Sequence, residues 1–210
     1  WAALALMNFS FYLAIARLPI GIAVALEFTG PLGLAIISSR QWIDGMWAVL
    51  AGMGIGLLTP WGGFEVNAWG ILFALMAASG WAIYIICSSK VGQVLPGGQG
   101  LAWAMVASAL ILLPIGTYGA GMTLLQPHLL GLGLGVALLS SVIPYSCELE
   151  ALRSLPVYVV GILLSLEPVA AALTGWLILG ETLTVRAMVA IVLVAIAAAG
   201  VSRPQPNSSR

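Results

Sequence analysis

Charge is what this sequence lacks most. Of 210 residues, seven are Lys or Arg, seven are Asp or Glu and one is His. Charged residues make up 7% of the chain, against about 25% in ordinary soluble domains. A soluble globule of this size could not cover its surface with so few. That excludes a water-soluble enzyme and a disordered segment. The net charge is zero and the basic residues are scattered, so there is no electrostatic footprint for DNA or RNA. Cysteine is also scarce. Cys87 and Cys147 fall inside or at the edge of apolar runs and read as small buried hydrophobes, not as a disulfide or a metal site. His128 reads as a lone loop residue without zinc spacing or a catalytic partner. No nucleophile elbow, phosphate-binding loop or His-Glu-x-x-His occurs, so neither an enzyme, a cofactor nor a metal site is expected.

What the chain does have is apolar length. Apolar residues make up 61% of it. They fall in continuous Leu/Ala-rich runs, which rejects a β-barrel built from short alternating strands. The fold class is therefore all-α, a polytopic membrane protein. About 20 apolar residues make one span. Eight candidates stand out: 1–16, 19–38, 45–58, 68–87, 101–118, 129–147, 157–179 and 183–201. Short joints with Pro, Gly and polar residues separate them. The Pro/Ser/Asn-rich tail, 202–210, is expected to be disordered.

Eight spans put both ends on one side. That side carries Arg40, Lys90, Arg153, Arg203 and Arg210, and the other carries Arg17 and Arg186. The excess of basic residues makes the first side cytoplasmic, C-terminus included. Trp42, Trp47, Trp61, Trp69, Trp103 and Trp176 lie near span ends, as an aromatic belt requires.

The chain also resembles itself at an offset of 137 residues. Leu18-Pro19 falls on Leu155-Pro156, Pro31 on Pro168 and Asp44 on Glu181. Spans 1–3 then repeat as spans 6–8 in the opposite direction, an inverted repeat of the kind many secondary transporters use. Spans 4 and 5 have no partners upstream. The expectation is a ten-helix 5+5 protein whose first two spans precede residue 1.

Two carboxylates lie near span centres, where a charge is expensive. Glu27 is the ninth residue of 19–38 and Glu167 the eleventh of 157–179. Each precedes a proline, Pro31 or Pro168, that disrupts backbone hydrogen bonding at mid-membrane depth. In the repeat register the two acids differ by three positions, close to one turn and one face. Burial disfavours the charged form of a carboxyl, so such a residue can exchange a proton or meet a substrate cation. The alternative is a protonated Glu bonding a carbonyl that proline has freed. Glu148 shares a face with Tyr145, three residues earlier, and is a candidate cavity residue. Glu150 points elsewhere, toward Arg153 or lipid headgroups. Asn8 with Tyr12, and Trp81 with Tyr84, are helical pairs suited to a small polar ligand or to joining helices. Gly52, Gly54 and Gly56, like Gly131, Gly133 and Gly135, read as close helix packing. Every Lys and Arg lies near a span end. The midplane thus has acids and no base, which suits an ammonium, a metal cation or a proton better than a phosphate.

The stretch Gly21-Ile22-Ala23-Val24-Ala25-Leu26-Glu27-Phe28-Thr29-Gly30-Pro31-Leu32 resembles the signature of the RhtA threonine/homoserine exporter family, in the EamA group of the drug/metabolite transporter superfamily. Trp81-Ala82-Ile83-Tyr84, Pro144-Tyr145-Ser146-x-Glu148, Glu167-Pro168-x-Ala170-Ala171 and Leu179-Gly180-Glu181-Thr182-Leu183-Thr184 match in the family's order. Glu150 is outside the pattern. The resemblance implies ten spans in two inverted halves, cytoplasmic termini, a central cavity and export of threonine and homoserine driven by the proton gradient. Residues 1–67 would then be the remainder of the first EamA repeat and 68–201 the second. The candidate site is Asn8, Tyr12, Glu27, Trp81, Tyr84, Tyr145, Glu148 and Glu167, with Gly30, Pro31 and Pro168 as helix-breaking hinges. The implied setting is a bacterial inner membrane. The expected partners are a small amino acid, protons and the bilayer, with a homodimer left open. Another metabolite or a cationic drug as cargo, or a non-transporting membrane scaffold or sensor, remain the alternatives.

Overall fold

The computed structural model describes residues 2–39, 41–59, 67–94, 97–121, 126–179 and 184–202. Trp1, Arg40, Trp61, Glu181 and 203–210 of the expected tail lie outside the described residues. Within them the chain is helical, and no strand occurs among the described residues. The helices are α1 (Ala2–Ile15), α2 (Ile20–Glu27), α3 (Thr29–Ser38), α4 (Trp42–Leu58), α5 (Ala68–Val94) and α6 (Gln99–Ala120). They continue as α7 (Pro127–Ala137), α8 (Ile143–Ser154), α9 (Val157–Leu163), α10 (Leu166–Leu179) and α11 (Val185–Val201), with a π-helical segment, Leu138–Val142, joining α7 to α8. Each of the eight expected spans corresponds to helix. Five are long and apolar enough to cross a membrane: Ile20–Ser38, Ala68–Val94, Gln99–Tyr118, Pro127–Ser154 and Val157–Ile178. The other three, α1, α4 and α11, are apolar but shorter. The chain is a polytopic α-helical membrane protein.

Proline decides where the spans break. Its ring has no N–H and clashes with the carbonyl four residues back. Pro31 and Pro168 each sit third in the second part of a two-part span, and the breaks fall three residues earlier, at Phe28 and Ser165. These two positions are 137 residues apart, as in the repeat register. The backbone tightens there: Ser165 donates its N–H to Ile162 (3.1 Å) and Glu167 to Leu164 (2.9 Å). Hydroxyls occupy the exposed carbonyls. Thr29 Oγ1 donates to Leu26 (2.6 Å) and Ser165 Oγ to Ile162. The acids therefore do not share one face of a continuous helix. Glu27 ends α2, before its break, and Glu167 opens α10, after the equivalent break.

The third broken span departs from expectation differently. Pro144 would clash with the Ser140 carbonyl in an α-helix. The chain widens instead, and Ile143 donates its N–H to Leu138, five residues back. Single wide turns of this kind concentrate at functional sites.

The core gathers where α1, α3, α4, α5, α8, α9 and α11 meet, around Ile85, Leu152, Ile162 and Ala197. Outward faces are apolar too: no residue of α7 is buried, and Leu110, Leu113 and Leu139 are exposed. Cys87 and Cys147 are exposed and free, contrary to the buried positions expected for them, and Cys147 lines the cavity described below. Trp42, Trp69, Trp103 and Trp176 are exposed. Trp47 instead packs on α11, under Gly200. His128 lies in the first turn of α7, not in a loop.

α4 and α11 run antiparallel in close contact along their length. At one end Arg186 Nη2 donates to the Thr59 carbonyl (2.7 Å). In the middle a Cβ on Gly54 would stand 2.5 Å from Val194 Cγ2, and at the other end Gly200 lies on the Trp47 ring. Gly131, Gly133 and Gly135 do no such packing, since each faces open space within 4 Å.

Candidate functional site

The break at Phe28 and the π segment both front one cavity of about 590 Å³, within the usual range for small-molecule sites. Its walls come from α1, α2, α5, the end of α7, the π segment, α8, α9 and α10. Three carboxylates reach it: Glu27 from the end of α2, Glu148 from α8 and Glu167 from the start of α10. Glu27 and Glu148 are buried and Glu167 is open. Glu167 is close enough to interact electrostatically with each of the other two. Among the described residues no Lys or Arg lines the cavity, and none of the three acids forms an ion pair. Thr29 and Ser165 meet carbonyls at the breaks, those of Leu26 and Ile162.

Aromatic residues line the cavity beside the acids. Trp81 packs edge-on against Phe28, ring centres 5.0 Å apart. Its indole N–H faces Glu148 without reaching hydrogen-bond geometry, leaving Trp81 Nε1 and Glu148 Oε1 buried and unpartnered among the described residues. Leaving such an atom unsatisfied costs about 1–3 kcal/mol, a cost that sites built for a ligand or ordered water recover on binding. Tyr145 lines the cavity, with Asn8 beside it; Asn8 also donates to the Leu4 carbonyl at 2.9 Å. Tyr12 lines it with its ring largely exposed. Tyr84 does not reach the cavity. It is buried behind Tyr145, ring centres 5.5 Å apart.

Gly30, Pro31 and Pro168 stand behind the site. A Cβ on Gly30 would lie 2.1 Å from the Ala78 carbonyl oxygen, so α3 crosses α5 backbone to backbone. Pro31 is fully buried and Pro168 half-buried. Glu150 turns away and pairs with Arg153 Nη1 at 2.9 Å. Arg153 also donates through Nε to Gly92 (3.0 Å) and through Nη2 to Gly97, tying α8 to the end of α5 and the turn after it.

Sequence reasoning passed over Phe28, Ser140 and Ser141, which also line the cavity. The signal was a pair of adjacent hydroxyls just upstream of Pro144. Its meaning depends on a π turn that apolar periodicity does not reveal.

Helices that span a membrane, two of them broken beside a cavity with acids and no base, define a class: polytopic membrane proteins with an internal polar site. The EamA-like transporter family matches residues 68–203, about two thirds of the chain. The chain belongs to that family. It is 46% identical over 180 residues to the threonine/homoserine exporter RhtA of Escherichia coli K12 and to that of Salmonella typhimurium SL1344. The match takes in 85% of this chain and 61% of each relative's length. One solved crystal structure shares the fold, with a TM-score of 0.68 at 21% identity, over 95% of this chain and 80% of the other.

Proposed function

We propose that this chain belongs to a bacterial inner-membrane exporter of small amino acids, threonine and homoserine among them, and that it is not an enzyme. The observation that carries the reading is the convergence of Glu27, Glu148 and Glu167 on one cavity without a basic residue. A neutral zwitterion supplies the ammonium such a cavity calls for. A proton can take the ammonium's place when the substrate leaves, so the same acids support proton-coupled exchange. Likeness to RhtA directs the choice of cargo.

In this reading residues 1–67 and 68–201 belong to two inverted five-helix repeats, and the matched breaks at Phe28 and Ser165 support that pairing. Alternating access is a rocking of these parts about the cavity. The C-terminus is cytoplasmic, on the side richer in Lys and Arg. Pro31 and Pro168 set the bends, and Tyr84 supports Tyr145 from behind.

The test is threonine and homoserine uptake into inside-out vesicles carrying the full-length protein, with and without a proton gradient. Gradient-dependent uptake is expected. Folded, inserted protein without uptake of either would overturn the assignment and leave another cargo or a scaffold role to be tried.

A further inference from the structure

The cavity handles one end of a zwitterion and leaves the other unexplained. An amino acid brings a carboxylate as well as an ammonium. Facing three acids and no base, the carboxylate must be met by neutral donors turned away from the acids. Asn8 gives one N–H to Leu4 and sits against Tyr145. Trp81 faces Glu148. Ser140 and Ser141 are different. Both line the cavity from the wide turn that Pro144 imposes.

Their hydroxyls are also free. Ser79, Thr117, Ser146, Thr174 and Ser202 each donate to the carbonyl four residues back. Ser140 and Ser141 make no such bond among the described residues. Two uncommitted donors thus stand in a wall that also presents the buried, unpartnered Trp81 Nε1 and Glu148 Oε1.

We infer that Ser140 and Ser141 form a carboxylate-binding subsite, held open by the π turn, which selects amino acids over simple amines. This rests on the exporter reading above. The ammonium end goes to the acids and the carboxylate end to the two hydroxyls, so neither end needs a basic residue.

The test compares Ser140→Ala, Ser141→Ala and the double variant with wild type in the same vesicles. Three probes are used: threonine, 2-aminobutyrate, which lacks the side-chain hydroxyl, and 1-amino-2-propanol, which lacks the carboxylate. The double variant is expected to raise KM about tenfold for threonine and 2-aminobutyrate alike, the size of a lost hydrogen bond to a charged group. Handling of 1-amino-2-propanol should be unchanged, and thermal unfolding in detergent should match wild type, which shows that the variant is folded. An unchanged KM for threonine would overturn the subsite. So would a loss confined to threonine, since the serines would then read the side-chain hydroxyl. Equal loss on all three probes would mean a structural role and would overturn it too. Wild-type protein that moves no amino acid would refute the exporter reading itself, and this subsite with it.

Discussion

Gly30 lies under the backbone of Ala78 so closely that a methyl group there would stand 2.1 Å from the Ala78 oxygen. The contact is backbone against backbone, so no side chain can turn aside to relieve it. It fixes how deeply α3 sits against α5, and therefore how far Glu27, three residues earlier, stands from Trp81. Gly30→Ala is expected to cost about 3 kcal/mol, at the upper end for overpacking, or to shift α3 off α5. Thermal unfolding in detergent checks it, with Gly33→Ala as the control because Gly33 faces open space. Equal melting temperatures for the two variants would refute the role of this crossing.

Glu27→Gln keeps the shape of the side chain and removes its charge. Threonine uptake driven by a proton gradient is expected to fall at least tenfold, with a changed dependence on pH. Wild-type rate and an unchanged pH profile would take Glu27 out of both substrate and proton binding.

Trp81→Phe retains a ring beside Phe28 but loses the indole N–H that faces Glu148. Stability should stay within about 1 kcal/mol of wild type, since the lost donor was already unpartnered. Uptake should slow about tenfold. Unimpaired uptake would show that this donor is not used during transport.

Arg153 serves carbonyls at Gly92 and Gly97 and the Glu150 carboxylate at once. Arg153→Ala should release the end of α5 from α8, at about 1–2 kcal/mol of stability. Arg153→Lys should restore little of this, because an ammonium lacks the planar fork that reaches several acceptors. Amide exchange over residues 88–94 measures it, and unchanged protection in Arg153→Ala would contradict the tie.

The spans were legible in the sequence because a bilayer demands long apolar runs, and Pro31 and Pro168 announced their breaks. Burial was much less legible. In a soluble protein an apolar residue in a helix is a core residue. Here the outward face is apolar as well, so Cys87 and the glycines of α7 read as buried and are not. Glu27 and Glu167 stood out because mid-span acids are costly. Glu148 was marked by the face it shares with Tyr145, and both line the cavity. That Tyr84 would fall behind Tyr145 depends on which helices meet, and no local pattern carries that. The π turn was hidden for a related reason. Its cause, Pro144, was visible, but proline can equally be absorbed inside a continuing helix, as Pro114 is in α6.

The α4–α11 pair bears on how a transporter of this build can move. One helix comes from each of the two proposed repeats. Between them lie a glycine with no room for a methyl, an indole seated on a second glycine and an arginine hooked to the opposite helix end. Helices meshed this tightly do not slide past one another without rising over each other's ridges. The pair would act as a fulcrum. Opening and closing would then be borne by the broken helices around the cavity, pivoting at Phe28 and Ser165 while the post behind them stands still.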